Sequence, residues 1–114
     1  MSDILIVGAG PVGLTMAAEL ARYGVGVRII DKSDHPTQTS KALVLWSRTL
    51  ELIDRMDCTS GFLDAGLRVR GATIREGETV LGHAHFDDIA SAYNFALMIP
   101  QRDTERLLTA HLQT

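Results

Sequence analysis

Glycines at positions 8, 10 and 13, in the run Gly8-Ala9-Gly10-Pro11-Val12-Gly13, are the residues of this sequence best suited to holding a charged ligand. The first turn of a helix offers unpaired backbone N–H groups and the positive end of the helix dipole. Together they favour an anion such as the pyrophosphate of a dinucleotide. To use them, the main chain must come close to the phosphate with no side chain in between. Gly8 allows the tight turn out of a strand, Gly10 the close approach, and Gly13 the packing of helix on strand. Asp31 stands eighteen residues after Gly13, near the ~20-residue spacing at which an acidic side chain meets ribose hydroxyls. A carboxylate there accepts hydrogen bonds from both hydroxyls and would repel a ribose 2′-phosphate. Glycine-rich turns are common, so the motif carries weight only through the elements around it.

Those elements are legible. Ile4 to Val7 form a short, wholly apolar run, as expected of a strand buried on both faces of a parallel sheet. Leu14 to Tyr23 carries Leu14, Ala17, Ala18 and Ala21 at helical spacing, with Gly24 as the stop. Pro11 falls in the first turn, where its missing N–H has no partner to lose. Val25 to Ile30 reads as a second strand closed by Asp31, completing a βαβ beginning. Lys32 to Ser40 is polar and contains Pro36, which predicts a loop. Trp46, Leu50 and Ile53 lie at i, i+4 and i+7, with a Glu51/Arg55 pair, so a helix is expected over 46–56 with Trp46 in the core. Alternation from Leu67 to Ile74, a turn at Glu76-Gly77-Glu78 and Val80-Leu81 beyond predict an antiparallel hairpin. Phe95 to Ile99 reads as another strand ended by Pro100, and Arg102 to Gln113 as a helix. A pyridine-nucleotide dehydrogenase would run from Asp31 through a helix to a third parallel strand. Here a polar loop, a helix and hairpin-like strands intervene, which favours FAD over NAD.

Composition narrows the class. The chain has 114 residues, 46% hydrophobic and 22% charged, which suits one small folded domain. With 11 Lys+Arg against 14 Asp+Glu the net charge is −3, so the basic excess of a nucleic-acid binder is lacking. The single Cys58 leaves no internal disulfide framework and fits a reducing compartment. No apolar run approaches the ~18 residues of a membrane span, and no basic segment precedes an apolar core at the start. A cytoplasmic soluble protein is expected, with neither nucleic acid nor membrane as partner. Because His111-Leu112-Gln113-Thr114 ends inside a helix without a stop signal, the sequence reads as the front piece of something larger.

The stretch DILIVGAGPVGLTMAAELARYGVGVRIIDK resembles the N-terminus of class A flavoprotein monooxygenases, the p-hydroxybenzoate hydroxylase and phenol hydroxylase group. SKALVLWSRTLELID looks like the family's segment in which a basic residue near the front reaches the FAD pyrophosphate. IPQRDTERLL looks like its segment whose Gln contacts the cofactor. The resemblance implies an α/β fold: a Rossmann-type FAD-binding βαβ unit with an inserted antiparallel hairpin region. Residues 1–114 would be the N-terminal part of a truncated FAD/NAD(P)-binding domain, with the substrate domain absent. It further implies that Gly8, Gly10, Pro11, Val12 and Gly13 form the pyrophosphate turn and that Asp31 holds the adenosine ribose, with Lys32 beside it. Gln101 would meet the FAD near its pyrophosphate and ribityl portion. Lys41 stands where many members carry Arg; Lys keeps the charge but loses the planar fork. Arg48 is a further basic candidate in the same segment. The family's Asp-Gly and Gly-Asp segments would lie beyond Thr114. The implied activity is hydroxylation of an aromatic or phenolic small molecule using FAD, NAD(P)H and O₂. The hard chemistry belongs to the cofactor, so no catalytic side chain is assigned. The alternatives are an NAD-dependent dehydrogenase with the same turn and a non-catalytic nucleotide-binding module.

Other constellations are set aside. On a strand, His83, His85 and Asp87 project from one face, as in a metal site or the HxHxDH stretch of metallo-β-lactamase-like hydrolases. A metal site wants three or four convergent ligands, and only His35, His111 and Cys58 remain to help, so no metal is assigned. Nothing identifiable activates Cys58, Ser47 or Ser60 as a nucleophile. Arg68 and Arg70 read as the wet face of a strand.

Overall fold

A computed structural model describes residues 3–33 and 44–113. Strand β1 (Ile4–Val7) leads into helix α1 (Pro11–Arg22) and strand β2 (Val27–Ile30). β1 and β2 pair in parallel, Ile4 opposite Val27 through Val7 opposite Ile30, with α1 packed on the pair. The helix starts at Pro11, ahead of the first apolar position of the pattern, because proline's fixed φ is already helical there. It stops as Gly24 would dictate. Gly24, at φ +77°, donates its N–H to Ala21 O at 2.9 Å, and Val25 N–H reaches back to Leu20 O at 3.1 Å. This is a Schellman closure, and it uses the backbone of Val25 to end the helix, so β2 begins only at Val27.

Downstream, β3 (Val44–Leu45), α2 (Ser47–Arg55), α3 (Thr59–Ala65), β4 (Leu67–Val69), β5 (Gly71–Glu76), β6 (Thr79–His85), β7 (Ala96–Met98) and α4 (Gln101–Leu112) follow in order. β7 is the centre of an antiparallel three-stranded sheet, flanked by β3 and β4. β5 and β6 form the expected hairpin around a Gly77-Glu78 turn. Its register shifts between Ile74 and Arg75, leaving Leu81 as the extra residue of a bulge. The core gathers Leu14 and Ala18 of α1, Leu50 and Ile53 of α2, Phe62 of α3, Leu97 of β7 and Leu108 of α4.

Three expectations need correction, and one helix was not expected. β1 is not buried on both faces: Leu5 is 57% and Val7 77% exposed. Among the described residues, β1 pairs only with β2, and α1 packs against it. Trp46 lies outside the core, 49% exposed, because it caps the start of α2 rather than sitting on its buried stripe. The run from Leu67 to Ile74 divides at Arg70 into β4, which pairs with β7, and β5, which pairs with β6. Helix α3 had no counterpart in the sequence reading: at seven residues it is too short to show a period.

Candidate functional site

The loop between β1 and α1 is shaped by backbone demands at two glycines. Gly8 stands at φ +111°, a region closed to side chains with a Cβ, and its N–H continues the parallel ladder to Ile30 O at 2.7 Å. A Cβ on Gly13 would overlap the Gly8 carbonyl oxygen and crowd Ile6 Cγ2 at 3.3 Å, so the bare glycine lets α1 seat on the strand end. A Cβ on Gly10 would meet nothing within 4 Å. The fold itself therefore leaves open space beside Gly10.

That space faces an unneutralised helix start. The first helical bond of α1 runs from Leu14 N–H to Gly10 O at 2.9 Å, so the amides of Val12 and Gly13 have no acceptor within the helix. Gly10 supplies no side-chain cap, and the first turn holds no acidic residue. Donors and dipole are both left for an anion.

Asp31 braces the loop from the end of β2. Its Oδ2 accepts the Ala9 N–H at 2.7 Å and its Oδ1 the Ser33 N–H at 2.8 Å. The Ala9 amide, and next the Ser33 amide, hold this carboxyl below the usual carboxylate range, so it is firmly ionised at neutral pH. Each carboxylate oxygen keeps further acceptor capacity, enough for a vicinal diol. The structure thus brings Gly8, Gly10, Pro11, Val12, Gly13 and Asp31 together, and adds to Asp31 a role in holding Ala9 that no sequence signal announced.

Of the other candidates, Lys32 adjoins Asp31, Gln101 and Arg48 belong to other elements, and one lies outside the described residues. Lys32 follows Asp31 and is exposed. Lys41 lies outside the described residues. Gln101 opens α4, half-buried, with its Nε2 3.5 Å from Glu105 Oε2. Arg48 is paired with Glu51 at 3.1 Å, and Glu51 also accepts the Ser91 hydroxyl at 2.7 Å. His83 Nδ1 lies 3.1 Å from Thr73 Oγ1, and among the described residues no group of three or more His, Cys, Asp or Glu could hold a metal. Burial, and secondarily Asp57, push the Cys58 thiol up, which disfavours the thiolate and agrees with a passive role. No helix of the described residues is long and apolar enough to cross a membrane. One feature was missed: Trp46 meets Phe86 edge-on, and their separation along the chain hides this contact from any local pattern.

A family model described as "FAD binding domain" matches residues 1–114. The chain is 40% identical over 112 residues to 6-methylpretetramide 4-monooxygenase of Streptomyces rimosus, covering 96% of this chain and 20% of that protein. It is 37% identical over 111 residues to rifampicin monooxygenase of Rhodococcus hoagii, covering 97% of this chain and 22% of that one. The crystal structure of p-nitrophenol 4-monooxygenase from Pseudomonas putida DLL-E4 superposes with a TM-score of 0.92 at 20% identity, over 99% of this chain and 29% of that one, which shows a shared fold. The chain spans about a fifth of the length of the curated relatives it matches. With the family model matching it from end to end, the chain belongs to the FAD binding domain family.

Proposed function

We propose that residues 1–114 are the N-terminal, cofactor-holding part of a Rossmann-type domain in a flavin-dependent monooxygenase that hydroxylates an aromatic or phenolic small molecule with NAD(P)H and O₂. The observation that carries this reading is the open, uncapped start of α1 beside Gly10, with the ionised Asp31 next to it. These residues fit FAD. The Val12 and Gly13 amides would hold the pyrophosphate, Asp31 the adenosine ribose, and Lys32 and Lys41 would add positive charge beside them. Gln101 would meet the cofactor near its ribityl portion. When bound, FAD supplies the redox chemistry, taking electrons from NAD(P)H and activating O₂. The chain's own contribution is to bind and orient: fixed amides set the cofactor's position, and α1's dipole offsets its phosphate charge. The relatives named above are a 6-methylpretetramide 4-monooxygenase and a rifampicin monooxygenase, which supports the monooxygenase reading proposed here. The lone Cys58 is in keeping with a cytoplasmic setting.

Gly10→Val in the full-length protein tests this directly. The added side chain enters space the fold leaves empty, so the variant should fold while losing the visible flavin band on purification. A Gly10→Val protein that keeps its normal complement of flavin overturns the reading.

A further inference from the structure

Trp46, the single tryptophan of the chain, stands at the start of α2, and cofactor binding gives no account of it. Half of its surface is exposed. Its ring is nevertheless held, meeting Phe86 edge-to-face with centroids 5.3 Å apart and planes at 86°. Phe86 follows β6, and its N–H donates to Arg70 O at 2.8 Å, which sets Phe86 across from Arg70. The guanidinium carbons of Arg68 and Arg70 lie 5.4 and 5.8 Å from the centroid of the Phe95 ring. Arg68 pairs across the sheet with Leu97, so both cations stand on the face of β4 that Phe95 shares.

Charge completes the picture. Among the described residues no carboxylate pairs with Arg68 or Arg70, nor with Arg28, Arg75 or Arg102; what sets Arg68 and Arg70 apart is that both guanidinium groups lie against the same ring. Two like charges over one ring repel each other, and an anion between or beside them relieves that repulsion. A guanidinium fork accepts an oxyanion well, and an exposed indole offers a flat apolar face. The two together match a planar ring that carries an anionic oxygen.

We propose that Trp46 and Phe86 form the wall against which the substrate's aromatic ring lies, with Arg70 receiving its anionic oxygen. This rests on the aromatic-substrate reading above and names the residues that would select such a substrate. If the arginines instead only cover the end of the core with their alkyl stems, ligand binding will not respond to their charge.

The test uses the full-length flavoprotein and two probes, 4-nitrophenolate and the uncharged 4-nitroanisole, with binding followed by perturbation of the flavin spectrum. Trp46→Ala should weaken both probes about tenfold, and Trp46→Phe should restore most of that. Arg70→Met should weaken 4-nitrophenolate alone, by about tenfold, with partial recovery in Arg70→Lys. Retained flavin shows that a variant is folded, and if Trp46→Ala loses flavin, the Trp46→Phe and Arg70→Met variants decide the matter. Flavin-replete variants that bind both probes as the wild type does would overturn the proposal, as would a wild type that binds neither. A full-length protein without flavin would overturn the parent reading instead.

Discussion

The glycine loop and the body packed around β7 solve different problems. In the body, Leu50, Phe62 and Leu97 are fully buried, and stability comes from apolar side chains excluded from water. Around the loop, β1 is largely exposed, and the features that matter are main-chain amides, a positive φ and one carboxylate. The body can be damaged by removing volume; the loop is damaged by adding it. On the proposed reading, stability and cofactor binding are separable, and substitutions should sort by region.

The largest effect is expected in the body. Phe62→Ala in the full-length protein removes a fully buried ring and should cost about 3–5 kcal/mol in chemical denaturation. Flavin loss should follow only through unfolding; weakened flavin binding at unchanged stability would break the distinction. Gly13→Ala tests the boundary between the regions, since its Cβ would overlap the Gly8 carbonyl. It should destabilise the flavin-free protein by roughly 1–3 kcal/mol, as overpacking does, whereas Gly10→Ala should leave that stability nearly unchanged. Equal effects at the two glycines would mean that α1 does not seat on the strand end as described.

The smallest effect concerns Asp31. Its carboxyl ionises at lower pH in the folded chain than its ordinary value near 3.8, because Ala9 and Ser33 donate to it. Its contribution to stability is therefore complete above the unfolded value and is lost as pH falls through the folded one. Asp31→Asn should lower the thermal midpoint slightly at neutral pH, and the gap to wild type should close in acid below about 3.8. A gap independent of pH would show that the carboxylate's charge does not brace the loop.

How much of this could be read in advance follows from the range of the forces involved. The β1–α1–β2 unit was legible because its rules are local: a proline at a helix start, a Schellman glycine, and glycines where a Cβ cannot stand. The hairpin, β7 and α4 followed from alternation and from Pro100 for the same reason. The exposure of Leu5 and Val7 was not legible, since an apolar run does not state what covers it. Trp46 fitted a helical stripe on paper, but its partner, Phe86, arrives from the far end of the hairpin. Of the candidate site, the residue types were readable, while Asp31's grip on Ala9 and the ion pairing of Arg48 depended on side-chain placement.

The most direct measurement is a crystal structure of the full-length protein with FAD. Phosphate oxygens should lie about 2.7–3.2 Å from the Val12 and Gly13 amides, with the adenosine ribose at Asp31. A diphosphate bound anywhere else, with the α1 start left to solvent, would contradict the account.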